Sequence, residues 1–155
     1  MPLIDLIPGD AILPSLRAAS KKTVLQEMSE RAAAVSGLSD REVFDAVLQR
    51  ERLGSTGVGN GVAIPHGKLA RCERIFGVFA RLEKPIDFEA MDGAPVDLVF
   101  LLIASEMAGA DHLKALARVA RFLRDPKLTM QLRMTRDAKA LHAVLMQSDH
   151  TSHAA

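Results

Sequence analysis

The sequence contains no tryptophan and no tyrosine, and its 155 residues include only six phenylalanines. Proteins that bind single-stranded nucleic acid or sugar rings by stacking need several aromatic side chains, so recognition of that kind is not expected. An excess of charge of one sign is also lacking, because 20 basic residues are interspersed with 19 acidic ones. Without a basic stripe that could follow phosphates, no nucleic-acid partner is expected.

Cysteine and long apolar runs are scarce as well. Cys72 is the only cysteine, so no internal disulfide can form, and no charged-then-apolar signal segment opens the sequence. The longest apolar run, Val96–Ser105, is interrupted by Asp97 and is about half of the roughly 20 residues that a membrane-spanning helix needs. These features predict a cytoplasmic protein without membrane insertion.

Length and composition fit one folded domain. The chain is 48% hydrophobic and 25% charged, which is enough apolar material for one core and leaves little for a second. We predict that residues 1–147 form this domain. Residues 148–155 are polar and lack periodicity, so we expect a flexible tail there.

Apolar residues recur at helical spacing in several segments. Gly37 follows the first series at the position of a helix C-cap, and Ser39 and Glu42 have the spacing of a capping box at the start of the second. The second helix is predicted to run to just before Gly54, with Arg50 near its C-terminal end. The other predicted helices are Lys21–Ser36, Asp111–Asp125, Lys127–Met134 and Ala138–Met146.

Short apolar or β-branched runs bounded by glycine and proline predict strands. The predicted strands are Ala11–Leu13, Val62–Ile64, Arg74–Leu82 and Val96–Ala104. Pro65 must end the second of these because it has no N–H to donate. This order of helices, strands and more helices predicts an α/β fold, a single-domain sandwich with a mixed β-sheet of about five strands and helices on both faces.

A glycine-rich loop, residues 54–61, invites a nucleotide-binding interpretation. A Walker A loop has four residues between its first glycine and Gly-Lys, followed by Ser or Thr. Here five residues separate Gly61 from Gly67-Lys68, and Leu69 follows. A dinucleotide fingerprint needs a strand before its glycines and a helix after them, but the predicted order is reversed. The sequence therefore supports neither a Walker A site nor a dinucleotide-binding site, and no cofactor is predicted.

His66 lies between Pro65, which fixes its own φ, and Gly67, which has no side chain beside the imidazole. Imidazole titrates near pH 6.5, so its neutral form is abundant and one ring nitrogen is a free nucleophile. Phosphoryl transfer from another phosphohistidine needs neither a general base nor a metal, only positioning and charge stabilisation. We assign the binding of the phosphoryl oxygens to the guanidinium of Arg50 and to loop hydroxyl and backbone N–H groups. The loop residues concerned are Ser55, Thr56, Gly59, Asn60 and Gly61.

Each of these features also has an ordinary structural interpretation. A lone histidine in a loop is most often merely exposed, a glycine-rich loop is usually a turn, and Arg50 at a helix C-terminus is usually a solvated charge. A zinc pair of His66 and His112 is conceivable, but no clear third ligand accompanies them. The residues alone leave these alternatives open.

A longer sequence pattern around His66 favours one of these interpretations. It consists of Glu51, Val58-Gly59 and Val62-Ala63-Ile64-Pro65-His66-Gly67. It resembles the active-site signature of the fructose/mannitol-type IIA proteins of the bacterial phosphotransferase system. The string Gln49-Arg50-Glu51-Arg52-Leu53-Gly54-Ser55-Thr56-Gly57 is similar to the nitrogen-branch subgroup. Further similarity covers Ser20-Lys21-Lys22, Pro85-Ile86-Asp87-Phe88, Pro95-Val96-Asp97-Leu98 and Asp111-His112-Leu113.

This resemblance implies roles for three side chains. His66 is the phosphoryl acceptor through Nε2, His112 is a second active-site histidine that binds the phosphoryl group or orients the first, and Arg50 is the active-site arginine. The implied donor is a phosphorylated HPr-like protein, and the implied regulatory partners are proteins such as kinases or potassium-transport components. The alternative is a sugar-branch IIA protein that passes the phosphoryl group to a separate IIB protein.

Two parts of the sequence fall outside the resemblance. Many relatives carry a proline shortly before the helix of His112, whereas this chain reads Ala104-Ser105-Glu106-Met107. His142, His150 and His153 match no functional position and are expected to face solvent.

Overall fold

Six strands form one mixed sheet at the centre of the computed structural model, which describes the backbone of residues 6–154 and the side chains of residues 6–147. The strands are β1 (Ile12–Leu16), β2 (Gly57–Gly59), β3 (Val62–Ala63), β4 (His66–Leu69), β5 (Phe76–Ile86) and β6 (Val96–Ser105). They are arranged in the order β1-β5-β6-β3-β2, and β4 also pairs with β6. The pairs β1–β5, β3–β6 and β4–β6 are parallel, whereas β5–β6 and β2–β3 are antiparallel.

β3 and β4 lie one after the other along the same edge of β6. Val62 and Ala63 pair with Leu98 and Val99, and the pairing resumes where His66 pairs with Leu102. Pro65 lies in the gap, and its carbonyl accepts a hydrogen bond of 2.9 Å from the N–H of Leu102. The prediction that Pro65 interrupts this strand is confirmed. The chain returns to the sheet at once, so His66 begins a new strand.

Five helices accompany the sheet: α1 (Lys21–Ser36), α2 (Asp40–Arg52), α3 (Ala110–Phe122), α4 (Pro126–Met134) and α5 (Ala138–Ala154). The side chains of Ser20, Ser39 and Asp125 cap α1, α2 and α4 by accepting hydrogen bonds from N–H groups in the first turns. Gly37 ends α1 with φ of +80°, a conformation that favours glycine. The bounds predicted for α1 are therefore confirmed, and its capping residues explain them.

Three helices differ from the prediction in their bounds, and the smallest difference is in α4, which begins at Pro126, one residue before the predicted Lys127. α3 begins at Ala110 and ends at Phe122, so Asp111 lies inside the first turn and Gly109 occupies the N-cap position without a side-chain hydrogen bond. α5 continues to Ala154, past the predicted end at Met146, since polar residues can extend a helix whose first turns are held by packing. The predicted tail, residues 148–155, lies entirely outside the described side chains, so the division at residue 147 stays a prediction. The side chains of His150 and His153 also lie outside the described part.

Two strands were not predicted, and the reason is physical. β2 is rich in glycine, and β4 contains His66-Gly67-Lys68, so neither has the β-branched content typical of strands. Both form because a neighbouring strand supplies hydrogen-bond partners. β1 and β5 also extend beyond their predicted C-terminal ends, to Leu16 and Ile86.

Both faces of the central strands are covered. Residues 76–82 of β5 and residues 98–104 of β6 are all buried, and successive side chains of a strand point to opposite faces. Continuous burial therefore requires helices on both sides of the sheet, as the contacts of α1 with β5, α5 with β1, and α3 and α4 with β6 supply. The predicted α/β sandwich is confirmed. Within the described residues, no helix combines the length and apolar character needed to cross a membrane.

Candidate active site

His66 is placed beside the C-terminal end of α2 by the close approach of that helix to β4. A Cβ atom added to Gly67 would lie 3.2 Å from Cβ of Ala46 and 3.2 Å from the backbone nitrogen of Val47. Glycine at position 67 therefore allows α2 to pack directly on the strand. This packing brings Arg50, one helical turn after Ala46, to the imidazole.

Both nitrogens of the His66 ring have hydrogen-bond partners. Nδ1 lies 3.0 Å from the carbonyl oxygen of Ile64, and because a carbonyl can only accept, Nδ1 carries the hydrogen. Nε2 consequently has the free lone pair, and it accepts a hydrogen bond of 3.2 Å from Nε of Arg50. The guanidinium of Arg50 is held in turn by donation from Nη1 to the carbonyl of Gly54, at 2.9 Å.

His112 lies in the first turn of α3 and faces His66. The two ring centroids are 5.5 Å apart and the rings are tilted by 52°. His112 is only 4% exposed, and its Nδ1 has no hydrogen-bond partner among the described residues. The structure therefore brings together the three residues, Arg50, His66 and His112, that the sequence comparison singled out.

These three side chains line an open cavity of about 410 Å³, in which His66 is half-buried and His112 is buried. Its walls come from one face of α2, from the start of β4 and from the first turns of α3. The lining residues are Ala46, Gln49, Arg50, Leu53, His66, Gly67, Lys68, His112, Leu113 and Leu116. No group of three or more metal-ligating side chains occurs in the described part of the chain, so the zinc alternative for the two histidines finds no third ligand there.

Comparison with known proteins places this geometry in a family. The family model described as "Phosphoenolpyruvate-dependent sugar phosphotransferase system, EIIA 2" matches residues 5–148. The chain belongs to this EIIA family. The resemblance seen in the sequence is therefore confirmed.

Individual relatives point to the nitrogen branch within that family. The nitrogen regulatory protein of Bradyrhizobium diazoefficiens is 61% identical over 145 residues, which are 94% of this chain and 95% of that protein. The nitrogen regulatory protein of Escherichia coli is 43% identical over 133 residues, covering 85% and 82% of the two chains. The crystal structure of nitrogen regulatory protein IIA-Ntr from Neisseria meningitidis superposes with a TM-score of 0.86, at 35% identity, over 92% of this chain and 97% of that one.

The electrostatics of the EIIA site favour neutral imidazoles. Burial lowers the pKa of His66 below its ordinary value of 6.5, although the hydrogen bond to Ile64 opposes this shift. The cations of Arg50 and Lys68 also lower the pKa of His66, whereas the nearby carboxylate of Glu51 raises it. Nε2 therefore keeps its lone pair at neutral pH.

The pKa of His112 is lowered too, first by burial and then by the proximity of His66 and Lys68. Two histidines whose pKa values are lowered in the folded state bind fewer protons there than in the unfolded chain. We therefore expect the contribution of these two histidines to the free energy of unfolding to be complete above about pH 6.5. The free energy of unfolding should fall as the pH drops below that value. Urea denaturation at pH 7.5 and at pH 5.5 measures this loss.

Controls for this pH dependence are available in the same chain. The double variant His66→Gln, His112→Gln should show a smaller difference between the two pH values than the wild type. At pH 5.5, the carboxyls of Glu83 and Asp92, with ordinary pKa values of 4.5 and 3.8 and lower ones in the fold, remain charged. A double variant with an undiminished difference would contradict the assignment to these two histidines.

The glycine-rich loop is not part of the cavity. The hydroxyl of Ser55 donates to the carbonyl of Phe88 at 2.7 Å, and that of Thr56 donates to the carboxylate of Glu51 at 2.5 Å. Neither Ser55 nor Thr56 lines the cavity around His66 in the described structure. Both hydroxyls are engaged in holding the loop, so their predicted contact with a phosphoryl group is not supported by this geometry.

Gly59 ends β2, and Asn60 and Gly61 form the turn between β2 and β3. All three have positive φ values, +103°, +57° and +79°, as tight hairpins require. The N–H of Asn60 donates to Oδ2 of Asp92 at 3.0 Å. The N–H of Asn60 is therefore already engaged, so this geometry gives no support to the predicted role of these residues in phosphate binding, which stays a prediction.

Residues that the sequence reasoning missed line the cavity on both sides of His66. Lys68 is exposed, and its positive charge lowers the pKa of both His66 and His112. Gln49 and Leu53 line the cavity next to Arg50 on α2. The helical period was a usable signal, since positions 46, 49, 50 and 53 share one helix face. His142, expected to face solvent, is partly buried, with Nε2 3.4 Å from the carbonyl oxygen of Ile7.

Proposed function

We propose that this EIIA protein is a phosphocarrier of the nitrogen-related phosphotransferase system. It accepts a phosphoryl group on Nε2 of His66 from a phosphohistidine of an HPr-like protein. The observation that carries the proposal is the pair of hydrogen bonds on the imidazole. Ile64 holds the proton on Nδ1, and Nε2, beside the guanidinium of Arg50, is left as the nucleophile.

The transfer step conserves atoms and charge without an added base. The lone pair on Nε2 of His66 forms the new P–N bond while the P–N bond of the donor phosphohistidine breaks, and the donor nitrogen keeps that electron pair. Nε2 carries no proton, so none has to be removed. The hydrogen on Nδ1 stays shared with Ile64. Positioning and stabilisation of the phosphoryl charge therefore account for catalysis.

Arg50 supplies that stabilisation. In the unphosphorylated protein its Nε–H group occupies the lone pair of Nε2, at 3.2 Å. When the phosphoryl group arrives, this hydrogen bond transfers from the ring nitrogen to a phosphoryl oxygen, which is a stronger acceptor because it is charged. His112, neutral and nearly buried, faces the same space and acts as the second active-site histidine.

The donor protein docks on the rim of the cavity. Leu53 is 83% exposed and Leu113 is 67% exposed, and the two side chains flank the cavity from α2 and α3. Large apolar side chains left in water around a reactive group are typical of a protein-binding surface. An HPr-like protein of complementary shape buries them while its phosphohistidine meets His66.

Phosphorylation also switches the affinity of this surface for regulatory partners. A phosphoryl group adds roughly −1.5 to −2 charges at neutral pH, and it does so at the centre of an apolar rim. Partners that bind the unmodified surface are expelled, and partners with a matching cation are recruited. Proteins such as kinases or potassium-transport components in the cytoplasm are the candidates, and the name "Nitrogen regulatory protein" given to several relatives supports a regulatory role.

The sugar branch remains the second candidate because some relatives carry sugar-specific names. The fructose-specific EIIABC component of Bacillus subtilis is 33% identical over 150 residues, which are 96% of this chain and 24% of that protein. A protein of the sugar branch passes its phosphoryl group to a IIB protein. Onward transfer therefore separates the two functions.

The test is reconstitution with purified components. The protein is incubated with the first enzyme of the system, a nitrogen-type HPr-like protein and phosphoenolpyruvate, and its intact mass is followed. We expect one acid-labile phosphoryl group per chain. If the HPr-like protein is phosphorylated and this chain is not, the proposal fails. Loss of the label on addition of a fructose-type or mannitol-type IIB protein would favour the sugar branch.

A further inference from the structure

We propose that Lys21 is a positioning residue that holds the imidazole of His66 in its reactive orientation. The inference rests on the proposed phosphoryl transfer and adds to it a residue 45 positions away that does not line the cavity. An unbroken chain of hydrogen bonds joins the two side chains. Its intermediate members, in order, are Glu51, Thr56 and Ile64.

The first part of this chain is a buried carboxylate with three donors. Glu51 is 6% exposed, and its Oε2 lies 2.7 Å from Nζ of Lys21 and 2.8 Å from the backbone nitrogen of Thr56. Its Oε1 accepts from the hydroxyl of Thr56 at 2.5 Å. A carboxylate removed from water needs a cation and several donors to remain ionised. Lys21 is the cation that the described structure places on it.

The ammonium group of Lys21 is itself held in place. Its side chain is only 17% exposed, and Nζ lies 4.9 Å from the centre of the Phe88 ring, a distance suited to a cation–π interaction. The carbonyl of Phe88 accepts a hydrogen bond from Ser55, the residue before Thr56. Lys21 therefore joins the start of α1 and the end of α2 to the loop that follows α2.

The second part of the chain reaches the imidazole through the backbone. The carbonyl of Thr56 accepts from the N–H of Ile64 at 3.0 Å, and the carbonyl of Ile64 accepts from Nδ1 of His66 at 3.0 Å. By fixing Thr56, Glu51 also fixes Ile64, whose carbonyl accepts the hydrogen bond from Nδ1 of His66 and keeps the proton on that nitrogen. Nε2 is left unprotonated as a consequence.

The same carboxylate also anchors the partner of the other ring nitrogen. Arg50, which donates to Nε2 of His66, is covalently next to Glu51 on the last turn of α2. A displacement of Glu51 therefore moves the partners of both nitrogens together. Without Lys21, the buried carboxylate of Glu51 loses the cation that holds it, and its displacement shifts Thr56 and Arg50 from these distances.

The test compares variants of equal charge change. Lys21→Met removes the ammonium group and keeps most of the stem, and Lys22→Met makes the same charge change at the adjacent exposed position. Single-turnover phosphorylation by the phosphorylated HPr-like protein should slow by about 10- to 100-fold in Lys21→Met, the scale of a small misplacement of a reacting group. Lys22→Met should stay within about twofold of wild type, and Lys21→Arg should recover most of the rate.

A spectroscopic readout separates positioning from a general loss of structure. Long-range proton–nitrogen NMR spectra of the imidazoles should show a single Nδ1-protonated tautomer of His66 in the wild type and a mixture in Lys21→Met. The charged or titratable groups near His66 are Arg50, Glu51, Lys68 and His112, and none of them is replaced. If Lys21→Met does not fold, Lys21→Gln, which keeps one donor for Glu51, takes its place.

The possible failures are distinguishable. A folded Lys21→Met protein with the wild-type rate and tautomer would overturn the inference and leave the phosphocarrier function standing. A wild-type protein that takes up no phosphoryl group would overturn the proposed function, and the tautomer comparison would still decide whether Lys21 orients His66. Equal slowing in Lys22→Met would assign the effect to surface charge and would also overturn the inference.

Discussion

Replacing His66 with alanine should leave a folded protein that takes up no phosphoryl group from the HPr-like donor. The substitution removes Nε2, which has the lone pair that faces Arg50 in the cavity. His112 cannot take over, because it is 4% exposed and an incoming phosphohistidine does not reach a buried ring. The intact mass of His66→Ala after incubation with phosphoenolpyruvate, the first enzyme and the HPr-like protein measures the outcome.

Two other histidine variants serve as controls for this result. His142→Ala, on α5 and outside the cavity, should be labelled like the wild type. His112→Ala should still be labelled on His66, but more slowly, because the neighbouring ring that lies 5.5 Å away is lost. An acid-labile phosphoryl group acquired by His66→Ala at the wild-type rate would refute the assignment of the acceptor.

Replacing Arg50 with alanine should slow the phosphorylation of His66 by roughly 10²- to 10³-fold, which is the usual cost of removing one preorganised donor to a developing anion. The guanidinium lies against Nε2 at 3.2 Å and is held by Gly54, so it is in place before the phosphoryl group arrives. Single-turnover kinetics with the phosphorylated HPr-like protein measure the rate.

A second consequence of the substitution acts on the pKa of His66. Arg50 lowers that pKa, so Arg50→Ala should raise it and reduce the unprotonated fraction of Nε2. Even a return to about 6.5 would leave only about a tenth of the imidazole protonated at pH 7.5. The lost stabilisation of the phosphoryl group therefore dominates, and the slowing should persist at pH 8.5.

The controls for Arg50 come from the same helix end. Arg52→Ala removes an equal charge at an exposed position and should leave the rate within about twofold of wild type. Arg50→Lys keeps the charge but not the planar fork of donors, so we expect an intermediate rate. Since Arg50 also binds the carbonyl of Gly54, thermal unfolding of each variant should accompany the kinetics. A folded Arg50→Ala protein with an unchanged rate would contradict the role given to this side chain.

Most of the secondary structure was predictable because its determinants are local. Ser20 and Gly37 mark the two ends of α1 within one turn of the residues they cap, and the interruption at Pro65 follows from the missing N–H of proline alone. Two strands were missed for different reasons. The partner of β4 is β6, which is remote in sequence, whereas β2 pairs with the adjacent β3 but is too rich in glycine to show a strand pattern. The same limit explains why the sequence did not reveal the hydrogen-bond partners of the loop residues. Ser55 and Asn60 bond to groups at positions 88 and 92, which no local spacing reveals.

The sequence by itself determined the fold class and, through its resemblance to the EIIA family, pointed to His66 as the proposed acceptor with Arg50 and His112 as its companions. Only the tertiary structure decided which groups bind the two ring nitrogens of His66, which loop hydroxyls are already engaged, and that Lys21 is connected to His66. The reason is physical. Helix periodicity and capping act over a few residues, whereas the hydrogen bonds that orient an imidazole depend on how β3 and β4 pair with β6 and on how α2 packs on β4.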